Sequence, residues 1–180
     1  MNNFVRLAKN TIEEFVKSGK KISPPDDTSA ELLNGKAGVF VSIHKKPQKG
    51  EKEGELRGCI GTFAPTKENI AAEIIDNAIS AASRDYRFLP ITKEELDDLD
   101  VSVDVLSAPE KINDISELDP KKYGILIRSK TDAKSGLLLP DLPGVSTIHD
   151  QIAITLNKAE LGIKDPVDIY RFTVTRYKEE

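Results

Sequence analysis

Val101, Val103 and Val105 alternate with Ser102 and Asp104, and this alternation constrains the fold more tightly than any other feature of the chain. β-Branched residues at every second position specify a strand with unlike faces: the valines turn to a core, while Ser102 and Asp104 turn to a solvated side. Val39, Val41 and Ile43 read the same way. Residues 167–177, rich in β-branched and aromatic side chains, read as one closing strand. Gly124 to Ser129 and Gly136 to Leu139 form a hairpin across the polar turn 130–134. Helical spacing runs from Phe4 to Val16 and stops at Gly19, and runs again from Ile70 to Ala82 behind a Thr66 cap. Thr92 with Glu95, and Thr147 with Asp150, have capping-box spacing, and Gly162 marks the end of the last helix. Lys20 to Asp27, with Pro24 and Pro25 inside it, is a surface strap. Hairpins lie between the helices and no βαβ unit repeats. The fold class is therefore α+β, a largely antiparallel sheet with flanking helices, in a single domain over residues 1–180.

Charge and composition exclude several function classes. Lys plus Arg total 26 against 30 for Asp plus Glu, a net charge of −4, so nucleic acid is not an expected partner. The basic loop Lys45, Lys46, Lys49 and Lys52 is interleaved with Glu51, Glu53 and Glu55 and has no aromatic residue for stacking; it reads as a solvated hairpin loop. A lone cysteine forbids an internal disulfide and fits a reducing compartment. No apolar run approaches the ~20 residues that cross a bilayer, and the first residues hold no apolar signal core, so a cytoplasmic location is expected. The two histidines, His44 and His149, are far apart, and no compact zinc signature exists. No phosphate-binding glycine loop or nucleophile elbow is present. The sequence indicates no cofactor and no metal.

The one cysteine lies in Leu56-Arg57-Gly58-Cys59-Ile60-Gly61. In a regular strand Leu56 and Ile60 point one way, and Arg57 and Cys59 the other. A guanidinium beside a thiol lowers its pKa. The functional reading gathers Arg57, Cys59, Asp85, Arg87 and Phe88 in one cleft. Arg57 and Arg87 hold an anionic group, Asp85 orients them or accepts a proton, and Gly58 and Gly61 let the ligand approach the backbone. Cys59 is then nucleophile, redox centre or transient ligand. The plainer reading makes Cys59 a small buried hydrophobe on the face of Phe63, with Asp85 stapling a turn, Arg84 structural and Asp104 on the solvated face.

The segments Leu56 to Gly61, Arg84-Asp85-Tyr86-Arg87-Phe88-Leu89-Pro90, Val101 to Ser107, Gly136 to Pro140 and Glu160 to Tyr177 resemble the AMMECR domain family. Within it, Tyr170-Arg171-Phe172 and Val174-Thr175-Arg176-Tyr177 are similar to the branch called AmmeMemoRadiSam system protein A. Tyr86 stands where that pattern has proline, which bears on the local turn. The resemblance implies a larger and a smaller α+β subdomain, with the cysteine motif lining a cleft between them. It implies a Memo-like protein and a radical S-adenosylmethionine enzyme as partners. Such domains also occur fused behind a Memo-like domain, and the chain is compatible with a piece of such a fusion. The family has no settled activity. Three functions are expected from different classes: an accessory or catalytic component of a modification system whose cleft binds a small anionic or modified group, a non-enzymatic adaptor, and, more weakly, an RNA-binding domain.

Overall fold

Why the chain folds as it does is visible in a computed structural model that describes residues 1–50 and 54–179; the acidic and basic residues 51–53 of the predicted hairpin loop lie outside the described residues. The helices are α1 Asn3–Ser18, α2 Ala30–Asn34, α3 Ile70–Ser83 and α4 Ile148–Lys158. The strands are β1 Gly38–Lys45, β2 Leu56–Thr62, β3 Leu99–Leu106, β4 Glu110–Lys111, β5 Gly124–Ser129, β6 Ser135–Leu138, β7 Val167–Phe172 and β8 Val174–Lys178. They form two units, residues 1–105 with the described residues from 175 on, and residues 106–174. The α+β class and the antiparallel sheets match the sequence expectation.

In the first unit the sheet order is β2-β1-β3-β8. The apolar stripe of α1 buries Phe4, Val5, Leu7, Ala8 and Ile12; Asn2 caps the helix by accepting from the Phe4 N–H, and Gly19 closes it at φ 74°. Residues 20–27 cross the surface as a strap, with Ile22 against the core and Lys21 paired to Asp76 at 3.1 Å. α2, a single turn pinned by buried Leu32, carries no clear periodic signal. α3 lies over β1 and β2. Its alanines Ala78, Ala81 and Ala82 keep the helix close to the sheet, where Val39, Val41, Ile43, Val101 and Val103 are buried. Gly58 sits directly beneath it, so that a Cβ there would collide with the Ala81 carbonyl oxygen. Tyr177 reaches the same core and stacks on Phe4, with ring centroids 4.2 Å apart.

The cap of α3 is Asn69, which accepts from the Ala72 N–H at 2.8 Å, and not Thr66. Thr66 instead donates its N–H and hydroxyl to the buried carboxylate of Glu73, at 2.7 and 2.9 Å. Thr62 and the Lys67 N–H complete that cradle. Burial pushes the Glu73 carboxyl up, yet these four donors outweigh it and its pKa falls below the ordinary value. The Thr92–Glu95 pattern opens a 3-10 turn, Lys93–Asp98.

In the second unit the order is β4-β7-β5-β6. β5 and β6 form the expected hairpin, and Thr147 with Asp150 caps α4 as expected. Two details differ from the sequence expectation. The closing run is two strands in two different sheets: at Thr173 the backbone N–H and C=O bond Ser107, so the alternation is interrupted there. α4 also ends at Lys158, ahead of Gly162, and the left-handed residue is Glu160 at φ 54°. Lys134 donates to its carbonyl at 3.1 Å.

The packing of β2 under α3 predicts that Gly58→Ala lowers stability by about 1–3 kcal/mol in urea unfolding, because the helix must move away from the strand. Gly162→Ala, whose new Cβ would lie 3.5 Å from Asp165, stays within about 0.5 kcal/mol of wild type.

Candidate functional site

A β-bulge decides where Arg57 goes. β1 and β2 pair in strict register from Val39↔Thr62 to Ile43↔Gly58, and the next pair is His44↔Leu56. Arg57 is the extra residue, so the alternation that would put it beside Cys59 does not run through this position. Its guanidinium instead grips Glu95, Nε to Oε1 at 2.7 Å and Nη2 to Oε2 at 3.0 Å, and donates to the Leu89 carbonyl at 2.8 Å. Arg57 is not the cation that faces the thiol.

β2 is an edge strand, and the backbone of Cys59 points outward from it. Asp85 and Arg87 close that edge. The Cys59 N–H donates to Asp85 Oδ2 at 2.9 Å, and Arg87 Nη2 donates to the Cys59 carbonyl at 3.3 Å. Arg87 also holds Asp85 side-on through Nε at 2.9 Å and Nη2 at 2.6 Å. A side-chain ion pair thus supplies one acceptor and one donor where a neighbouring strand would have done so. The Arg87 guanidinium holds the Asp85 carboxyl well below the usual carboxylate range; burial opposes this, and the N–H groups of Cys59 and Arg87 reinforce it.

The Cys59 thiol accepts from Ser42 Oγ across the strand pair at 3.1 Å. Burial raises its pKa above the ordinary thiol value. The Ser42 bond and Arg87 lower it by less, while Asp104 and Asp85 add to the rise. The expectation of a thiol made acidic by Arg57 is corrected on both counts: the cation is Arg87, and desolvation wins.

Cys59 and Ser42 lie on the sheet face opposite α3. Asp104 and Arg176 lie on it too, joined by two bonds of 2.7 Å. Asp104 is therefore buried under an arginine and not on a solvated face, because the cross-strand guanidinium of β8 covers it. One step along the same strands, His44, Ser102 and Lys178 border a pocket of about 240 Å³ that also meets Asp100 and Glu179. The remaining predicted residues take structural places. Gly58 makes room for α3, Gly61 makes room for the Phe40 ring, and half-buried Phe88 lies under the Arg87 guanidinium at 5.4 Å. Arg84 is exposed and caps α3 through its N–H. Sequence reasoning missed Ser42, Glu95 and Arg176. Ser42 and Arg176 each stand at a polar position of an alternating strand, which is the signal that places them. Among the described residues no group of three or more His, Cys, Asp or Glu is arranged to hold a metal ion, and no helix is long and apolar enough to cross a membrane.

Comparison with known proteins gives this arrangement a family. The AMMECR1 family model matches residues 5–177, and the chain belongs to that family. A protein of Thermotoga maritima is 51% identical over 178 residues, covering 97% of each chain. A protein of Clostridium acetobutylicum is 45% identical over 98% of this chain, which spans only 36% of that relative's length. The crystal structure of an uncharacterized protein from Pyrococcus horikoshii superposes with a TM-score of 0.86 at 35% identity, over 98% of this chain and 90% of the other.

Two outcomes follow from the geometry. Alkylation of Cys59 by iodoacetamide, followed against pH, titrates above the ~8.5 of a free cysteine; Arg57→Ala leaves the midpoint in place and Arg87→Ala moves it up. Asp85 ionises more easily folded than unfolded, so its contribution to stability is complete above the unfolded pKa of about 3.9 and fades as pH falls toward the lower folded value. The stability gap between wild type and Asp85→Asn, measured by urea unfolding, is accordingly widest near neutrality and narrows below pH ~4.

Proposed function

We propose that this AMMECR1-family chain is a binding component of a protein- or RNA-modification system, in which the polar face of the first unit's sheet around Cys59 receives a small anionic or modified group. One observation carries the reading. Two guanidiniums border that face, Arg87 at its β2 edge and Arg176 on β8 at the other, each fixed by a buried carboxylate while remaining partly open to solvent: Arg87 is 44% exposed over Asp85 at 2%, and Arg176 is 40% exposed over Asp104 at 4%. A clamped guanidinium loses less rotamer entropy when it meets a ligand. Arg87 keeps Nη1 outside its pair with Asp85, and Ser42 on β1 and Cys59 on β2 pair beside it as neutral hydrogen-bonding groups. Asp85 acts as the positioning group for Arg87, and Cys59 enters as a protonated lining residue whose reactivity depends on what binds beside it.

The sequence likeness to AmmeMemoRadiSam system protein A supports a setting beside a Memo-like protein and a radical S-adenosylmethionine enzyme, in the cytoplasm. The greater length of the Clostridium relative supports a domain that works next to further polypeptide. A second reading, a non-enzymatic adaptor that docks those enzymes, is favoured by the raised thiol pKa, since a resting thiolate nucleophile is not prepared.

Inorganic phosphate and pyrophosphate are suitable first probes. Titration followed by backbone amide chemical shifts is expected to perturb Ser42, Cys59 and Arg87, with binding weakened about tenfold in Arg87→Lys, which keeps a cation for buried Asp85 but loses the planar fork. Saturable shifts elsewhere, or none at this face with either anion, would sink the anion-site reading and leave the adaptor.

A further inference from the structure

Tyr86 and Leu89 are 94% and 83% exposed, although Phe88 between them is half-buried. Two large apolar side chains held in water oppose the tendency of such groups to bury themselves. A mobile loop would fold them back onto the protein. This loop is fixed from below. Asp85 ties it to the Cys59 N–H at 2.9 Å, the Phe88 N–H donates to the Asp85 carbonyl at 3.0 Å, and the Ile91 N–H donates to Ala82 at 2.9 Å. Arg57, only 12% exposed, holds the Leu89 carbonyl at 2.8 Å while Glu95 anchors the guanidinium. A nearly buried arginine is thus committed to keeping a loop backbone in place whose side chains face outward.

We propose that the loop 84–90 is a docking knob for a folded protein partner that presents an apolar pocket rimmed by aspartate or glutamate. Tyrosine and arginine are the residue types that dominate interface energetics, and a preformed loop spares the ordering entropy of binding. Charge selects the partner's rim. Arg84 and Arg87 against Asp85 leave the loop a net charge of +1, shown to solvent by exposed Arg84 and the outer side of half-exposed Arg87, on a chain whose net charge is −4. The same net charge disfavours an anionic membrane or a nucleic acid as occupant. This surface shares Arg87 with the anion site but uses the exposed side chains of Tyr86 and Leu89, which the anion site does not.

The test replaces Tyr86 by the photocrosslinker p-benzoylphenylalanine in the full chain, with irradiation in lysate from the source organism and mass-spectrometric mapping of the adduct. The expected result is one discrete partner, cross-linked within an apolar pocket bordered by Asp or Glu. With the purified pair, Tyr86→Ala and Leu89→Ser each weaken binding about thirtyfold, and Arg84→Glu weakens it more at low salt than at high salt. Both apolar variants retain wild-type melting temperature and wild-type response to phosphate, which separates failure here from failure of the anion site. Cross-links to a second copy of the chain, to lipid or to no discrete protein would overturn the proposal. So would a partner whose affinity ignores both substitutions.

Discussion

The Asp85 carboxylate stands where another strand would be. An edge strand leaves N–H and C=O groups unpaired along one side, and those of Cys59 are met by Asp85 and Arg87. Much of the first unit's polar architecture hangs on this closure. Arg87 is oriented by the same carboxylate, the 84–90 loop is tied down by it, and the thiol's electrostatic surroundings include both groups. Arg57 supports the loop from its other end through Leu89. The cysteine motif and the arginine segment, 24 residues apart from Gly61 to Asp85, are therefore one structural object.

The sheet of the first unit divides its labour by face. One face is apolar and covered by α1 and α3; it supplies the core through Val39, Val41, Ile43, Val101 and Val103. The other carries Ser42, Cys59, Asp104 and Arg176, and there polar groups are paired across strands with one another. A buried carboxylate without a partner would be expensive, so Asp104 and Asp85 each require their arginine. That requirement leaves the outer sides of both guanidiniums in reach of solvent and fixes their direction. Chemistry and stability are hard to separate on such a face, because the groups that satisfy the buried acids are those that a ligand would meet.

The glycines of the cysteine motif illustrate how a functional-looking pattern can have packing reasons. Gly58 admits the backbone of α3 and Gly61 admits the Phe40 ring. Neither position needs a left-handed backbone. Close approach was the right physical idea, but the approaching groups are the protein's own helix and ring. Arg57 shows the complementary case. Its type suggested a cation for the thiol, whereas a one-residue bulge and a glutamate 38 residues away claim it for the loop.

Local pattern determined a large part of this protein. Period-two valines, helical spacing in α1 and α3, the Gly19 stop and the Thr147 capping box each fixed an element, because those signals act over a few residues and need no distant partner. The AMMECR likeness was equally legible, carried by contiguous motifs. Tertiary structure decided what depends on which atoms meet: the bulge that turns Arg57 away, the break at Thr173 that sends β7 and β8 into different sheets, and the burial of Asp104 beneath Arg176. It also decided the protonation of Cys59. A thiol's pKa follows from desolvation and from charges brought near it by folding, and neither quantity is written in the residues that flank it.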